Sequence, residues 1–367
     1  MKTHGGDIFG VAAELGVKPE ECLDFSANLN PLGVPKSVRD AMKESLDQVI
    51  YYPDPDCREL IHDLSGHYGV PEGYLLAGNG AADLIFRLVY GIRPSNALIP
   101  APTFLEYEEA LKQTKTRIIR LPLDENLEVP ENLPEFISEE IDLVFLCNPN
   151  NPTGILTGRD LMIMAAKKAV ETGTILVIDE CFLDFTGREE EFTMVPYLKE
   201  FPNMVILKSF TKMFSIPGIR LGYALCSDPD LINRIRAAGQ SWSVNTAAAA
   251  AGRAALKEVE FVRSSAAFIK EEREFLTGEL KKLGIRVFPG QANYLFIQVK
   301  SCPGLYDKLL RYGIMIRRCL NYDGLDETYY RTAVRNREEN KGLIKALKSI
   351  IEGEEKNAAK TETTERK

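Results

Sequence analysis

The stretch LKSFTKMFSIPGIRLGY occupies residues 207–223. It opens as the end of a buried apolar strand and breaks into two hydroxyls around an amine, Ser209, Thr211 and Lys212. It then turns at Pro217-Gly218 and returns through Arg220. A lysine in water is almost wholly protonated and a poor nucleophile. Partial burial and nearby cations lower its pKa and free the lone pair. Ser209 and Thr211 offer hydroxyls to an anion, and Arg220 adds a charge-assisted contact. The stretch reads as an anion held beside a reactive amine. Taken alone, a lysine just past a strand is more often an exposed one, so the surrounding motifs decide.

Outward from this stretch, short apolar runs alternate with helical patterns. Strands are predicted at 97–100, 117–121, 142–147, 174–179 and 205–208, with helices at 103–114 and 159–172 among the connections. Runs such as TILVI and DLVFL are apolar on both faces, the pattern of strands covered on both sides by helices. They predict an α/β fold with a mostly parallel central sheet. A long charged helix over about 258–283 follows the alanine-rich NTAAAAAGRAAL. Strands at 294–299 and 330–334 and a helix at 337–351 complete a smaller C-terminal α+β domain. The expected organisation is an arm, 1–35, that joins the small domain; a large domain, 36–255; the small domain, 256–352; and a polar tail, 353–367, expected to be disordered.

Composition narrows the function classes. With 367 residues, 45% hydrophobic and 27% charged, the chain is an ordinary globular one with a large core. No apolar run reaches the ~20 residues of a membrane helix, and the N-terminus lacks a secretory pattern. The seven cysteines contain no CxxC pair, so neither a disulfide framework nor a metal site is expected, and a reducing cytoplasm fits. A net charge of −8 argues against nucleic acid as the partner. It leaves room for a small anion, because Arg317, Arg318, Arg331 and Arg335 cluster late in the chain.

Three motifs converge. Asp179 ends the strand ILVID, Lys212 follows VILKS, and the loop CNPNNPTG (147–154) follows DLVFL. In a parallel sheet all three lie at the carboxyl edge, where ligands bind. A carboxylate such as Asp179 suits the protonated nitrogen of a pyridine ring, although an isolated Asp more often caps a helix. GNGAADLIFRLVYG (78–91) reads as a glycine turn entering a helix. Its amides at Gly80, Ala81 and Ala82 and the helix dipole suit a phosphate, and its spacing is not that of a dinucleotide site. Phe104 follows another strand end, where an aromatic stacks on a flat ligand or fills core. Asn151 reads either as a donor to a phenolic oxygen or as a turn residue.

In this order, NPNNPTG, the strand-end Asp179-Glu180, SFTK and IPGIRLGY resemble the fold-type-I pyridoxal-phosphate aminotransferases, over nearly the whole chain up to about residue 350. The resemblance implies pyridoxal 5'-phosphate, with Lys212 as the Schiff-base lysine and Asp179 as the pyridinium partner. It implies Asn151 near the ring oxygen and Phe104 stacked on the ring. It assigns Ala81, Ala82, Ser209, Thr211 and Arg220 to the phosphate. Tyr52, in YYPDP, would reach the phosphate of a neighbouring subunit, which implies a homodimer. One departure is visible: Phe182 stands where these enzymes usually carry tyrosine, three residues past the aspartate.

Within that family, four blocks resemble threonine-phosphate decarboxylases: HGG (4–6), DFSANLNPLG (24–33), SWSVN (241–245) and RRCLNYDGLD (317–326). Phe182 matches them as well. The resemblance implies decarboxylation of L-threonine O-3-phosphate in cobalamin biosynthesis. Arg331 with Asn151 would hold the carboxylate. Arg317 and His4, flanked by Gly5, would hold the phosphate, and Asn28 would meet either anionic end. Arg335 reads as a further cation or as one half of a surface ion pair. The competing expectations are histidinol-phosphate aminotransferase, a serine-phosphate decarboxylase and a noncatalytic cofactor-binding regulator.

Overall fold

The fold is seen in a computed structural model that describes residues 5–365. After a short N-terminal strand β1 (Leu23–Asp24) come seven strands: β2 (Leu75–Gly78), β3 (Asn96–Ala101), β4 (Arg117–Pro122), β5 (Leu143–Cys147), β6 (Ile175–Asp179), β7 (Met204–Ser209) and β8 (Gly222–Leu225). They form one sheet in the order β2-β8-β7-β6-β5-β3-β4. Only β8 runs antiparallel to its neighbours. The expected mostly parallel sheet is therefore present. Alternation along its strands accounts for the apolar runs. Val144, Leu146, Leu176, Ile178, Met204 and Ile206 enter the core on one face. Leu143, Phe145, Val177, Val205 and Leu207 enter the core on the other.

A second, antiparallel sheet is built from β9 (Arg286–Val287), β10 (Tyr294–Gln298), β12 (Arg317–Arg318) and β13 (Tyr329–Ala333), in the order β12-β13-β10-β9. The remaining strand, β11 (Ile314–Met315), pairs in parallel with β1. The helix Ile8–Leu15 packs Val11 and Ala12 against Leu310 and Met315 beside that pair. The N-terminal segment is thus held against the C-terminal part of the chain. The helix Val259–Lys282 lies between the two sheets in sequence.

Two differences from the sequence reading have plain causes. The strand β8 is four residues long and follows a Pro-Gly turn, too short to show a period of its own. The last helix runs Arg337–Glu365, past residue 351 and through 353–365, where composition suggested disorder. That run lacks proline and is rich in Glu, Lys and Ala, so a helix nucleated on packed turns propagates along it.

Candidate active site

The carboxyl edge of the large sheet gathers the chemistry. In register, Asp179 of β6 lies beside Leu207 of β7, and Ser209 and Gly78 both lie beside Gly222 of β8. The ends of β2, β6 and β7 and the start of β8 therefore meet in one place. Asp179 is 5% exposed. Its Oδ2 accepts from the Tyr107 phenol at 2.7 Å and its Oδ1 from the Cys181 N–H at 3.0 Å. Tyr107 is itself buried, stacked on Phe145 at 4.5 Å and edge-on to Phe104 at 5.5 Å. Burial, reinforced by Asp179, keeps the phenol protonated well above its usual range, so it stays a donor.

Lys212 sits in the one-turn helix Phe210–Met213 beyond β7. Its Nζ donates to Thr211 Oγ1 at 3.2 Å. Burial holds the amine below the usual lysine pKa. Cys181 and Asp179 oppose that shift and Arg220 and Arg331 add to it, so all five groups act within one electrostatic neighbourhood.

The anion pole lies at the start of the helix Ala81–Ile92, whose N-cap Gly80 provides no side-chain cap. Gly80 has φ +87°, and a Cβ there would come within 2.5 Å of an Arg220 Nη. A Cβ at Gly222 would meet the Ala81 amide nitrogen at 2.5 Å. These two glycines let the Arg220 guanidinium and the first helical amides approach one another, which is the cradle a phosphate needs. Ser209 Oγ and Thr211 Oγ1 are 2.7 Å apart on the adjoining strand end.

Opposite this pole, β13 supplies Arg331, 7% exposed. It donates to Asn151 Oδ1 and to the Ser26 carbonyl at 2.9 Å, while its buried Nε has no partner. The guanidinium lies 5.3 Å from the Tyr294 ring, and the Tyr294 hydroxyl donates to the Asn150 carbonyl at 2.9 Å. The NPNNPTG loop is thus gripped by the second sheet. Arg317, 6% exposed, stands directly across from Arg331 in the β12–β13 register. Burial, with Arg331 adding to it and Tyr322 and Cys319 opposing it, brings its pKa below the ordinary guanidinium value. The strand register thus sets two buried guanidiniums on neighbouring strands. Asn28, 4% exposed, leaves its Oδ1 without a partner. A small cavity of about 30 Å³ lies among Gly5, Ser26 and Arg317.

Not every expected residue lies here. Tyr52 is 79% exposed, its ring tilted against Trp242 at 4.7 Å, and makes no hydrogen bond or ring contact with the residues gathered here. His4 lies outside the described residues. Arg335 is committed to Glu339 at 2.8 Å, the ion-pair reading. Phe182 packs edge-on to Tyr294 at 5.1 Å. Tyr107 and Ser26 were missed by the sequence reading. The signal for Tyr107 was its position three residues after Phe104 at a helix start, which puts the two on one face. Ser26 acts through its carbonyl, which no side-chain pattern announces.

Comparison with known proteins agrees with this geometry. A family model described as aminotransferase class I and II matches residues 20–347. The threonine-phosphate decarboxylase of Salmonella typhimurium is 40% identical over 355 residues, 96% of this chain and 97% of that one. The solved L-threonine-O-3-phosphate decarboxylase from Porphyromonas gingivalis is 27% identical with a TM-score of 0.80, covering 90% of this chain and 99% of that one. The histidinol-phosphate aminotransferase from Clostridium acetobutylicum is 32% identical with a TM-score of 0.85 and the same 90% and 99% coverage. With a match spanning most of its length and the lysine, aspartate and anion cradle assembled at one sheet edge, the chain belongs to the aminotransferase class I and II family.

Proposed function

We propose that the chain is a pyridoxal 5'-phosphate-dependent carboxy-lyase that converts L-threonine O-3-phosphate to (R)-1-amino-2-propanol O-2-phosphate and CO2, a step of cobalamin biosynthesis. The observation that carries this reading is the buried pair Arg317 and Arg331, set opposite each other, with Arg331 close enough to Lys212 to act on its charge. A substrate with a carboxylate at one end and a phosphate at the other matches two guanidiniums better than a singly charged one does.

The residues present fit the cofactor. The Gly80–Arg220 approach, the uncapped amides of Ala81 and Ala82, and the Ser209 and Thr211 hydroxyls form the phosphate cradle. Asp179, held by Tyr107, would pair with the ring nitrogen, Phe104 would lie against the ring face and Asn151 would sit near the ring oxygen. When bound, pyridoxal phosphate supplies an electron-poor ring that accepts the electron pair of a breaking Cα bond.

The protein's own part is orientation and proton handling. Lys212, whose pKa burial lowers, would be the amine that holds the cofactor and gives it up to the substrate amine. Arg331 and Asn151 would hold the substrate carboxylate, Arg317 the phosphate, and Asn28 would meet one or other anionic end. Anchoring both ends would fix the substrate's orientation about Cα so that the carboxylate is the group lost, as CO2. Lys212 would be the side chain placed to return a proton to Cα.

Incubation of the protein and pyridoxal phosphate with threonine phosphate, serine phosphate or histidinol phosphate tests this reading by CO2 release and product mass. CO2 and aminopropanol phosphate from threonine phosphate are expected. Turnover of histidinol phosphate that requires 2-oxoglutarate would establish the aminotransferase instead, and cofactor binding without any turnover a regulator. Serine phosphate differs by one methyl group, so discrimination of only about 1–3 kcal/mol is expected against it.

The assembly belongs to the same proposal. Leu46, Val49, Ile50, Tyr51, Tyr52 and Trp242 are all exposed. Such an apolar group on one surface suits a homodimer in which Tyr52 reaches the partner's phosphate pole. We also assign 1–35 as an arm on the small domain, 36–255 as the cofactor domain and 256–352 as the small domain. Among the described residues no helix is long and apolar enough to cross a membrane.

A further inference from the structure

The loop after β12 does more than close a turn. Its Cys319 N–H donates to the Tyr329 carbonyl at 3.0 Å, tying the loop to β13. The Tyr322 N–H donates to the Cys319 carbonyl at 3.0 Å, closing a tight turn over Cys319–Leu320–Asn321–Tyr322. Asn321 stands at the third position of that turn, where its Oδ1 accepts from the Arg317 guanidinium at 2.8 Å. The second Nη of Arg317 donates to the Arg318 carbonyl at 2.6 Å, and the Tyr322 ring lies 5.5 Å from the guanidinium. Beyond the turn, Asp323 comes within 3.8 Å of Arg120, which is bound to Glu108 at 2.7 Å on the large-domain side. The turn is thus anchored at both of its flanks, and its central amide holds one arginine.

The identity of that amide matters. An aspartate at 321 would orient the guanidinium equally well, but it would also cancel the charge. A neutral carbonyl oxygen orients without neutralising. The strands pair Arg317 with Arg331, so two cations already share the site and only one carboxylate is expected from an ordinary amino acid. We propose that Asn321 is a specificity-determining positioning residue: it fixes the Arg317 guanidinium, charge intact, and thereby selects amino acids that carry a second, phosphate-like anion. The inference rests on the reading of Arg317 as the phosphate holder.

Asn321→Ala, Asn321→Asp and Arg317→Ala test it in the cofactor-loaded protein, with threonine phosphate and unphosphorylated threonine as competing substrates. In Asn321→Ala the preference for threonine phosphate, as a ratio of kcat/KM values, falls about tenfold, the worth of one hydrogen bond to a charged group. In Asn321→Asp it falls about a hundredfold, because the new carboxylate both pairs with the guanidinium and repels the phosphate. Both losses lie in KM and not in kcat, and the visible spectrum of the loaded protein stays that of the wild type, which shows an intact fold. An Asn321→Asp loss no larger than that of Asn321→Ala would overturn the proposal, as would losses that fall on kcat. The underlying reading fails separately: if Arg317→Ala leaves the preference unchanged, Arg317 does not hold the phosphate. If Arg317→Ala abolishes the preference and both Asn321 variants keep it, only the role of Asn321 is refuted.

Discussion

Asp179 shows what one residue's surroundings do. Its carboxylate takes a hydrogen bond from a phenol that is stacked, buried and kept protonated. A donor to a charged group is worth about 1.5–3 kcal/mol. Tyr107→Phe removes that donor and keeps the ring stack. The carboxylate should then grip a ring proton more firmly, and the midpoint of the pH titration of the loaded protein's visible absorbance should move by about half a unit or more. An unmoved midpoint would show that the phenol is packing alone. Lys212 and Asp179 were legible because strand-end positions carry chemistry in parallel sheets. Tyr107 and Ser26 were not, because their contacts, to Asp179 and Arg331, span 72 and 305 residues of chain.

At the scale of elements, two junctions decide the site. The first is the approach of β8 to the helix Ala81–Ile92. Gly80→Ala puts a Cβ in a left-handed backbone conformation and against Arg220. The expected outcome is about tenfold weaker cofactor binding in a spectral titration, with about 1–2 kcal/mol lost from stability. Cofactor binding as tight as in the wild type would remove Arg220 from the cradle. The second junction is behind β7, where Lys208 lies 3.0 Å from Glu180, 2.6 Å from Glu189 and 3.8 Å from Asp184. Burial, with Glu189 adding to it, pushes Asp184 up from 3.8 to about 7. The folded protein therefore takes up a proton there that the unfolded chain would not. The stability this brings is complete below about pH 4 and lost as the pH rises through about 7. Asp184→Asn should melt higher than the wild type at pH 8, on the order of 2 °C, and level with it near pH 4. Equal melting at both values would show that Lys208 already compensates the charge. The strands β3, β5, β6 and β7 were legible since both of their faces are largely apolar. The two-residue β12 was not, although it carries Arg317, because so short a strand exists only by pairing with β13.

For the whole molecule, the exposed group around Tyr52 and Trp242 sets the remaining prediction. If Tyr52 serves a partner's site, Tyr52→Ala and Lys212→Ala chains should each be weak alone. Refolded together in equal amounts, they should recover about a quarter of the wild-type activity per chain, since half of the dimers are mixed and each of those has one whole site. No recovery would place Tyr52 outside the site. The sequence by itself determined the layered fold, the identities of the reactive amine and its opposing carboxylate, and the family, because each is written in local order: strand, turn, motif. Only the tertiary structure decided that Arg317 and Arg331 face one another in burial, that a phenol holds Asp179 and that an amide holds Arg317. The arginine pair is set by strand register, the phenol contact joins residues 72 apart, and the amide contact, though only four residues long, depends on the turn that follows β12; no local pattern encodes strand register or the packing that fixes these partners.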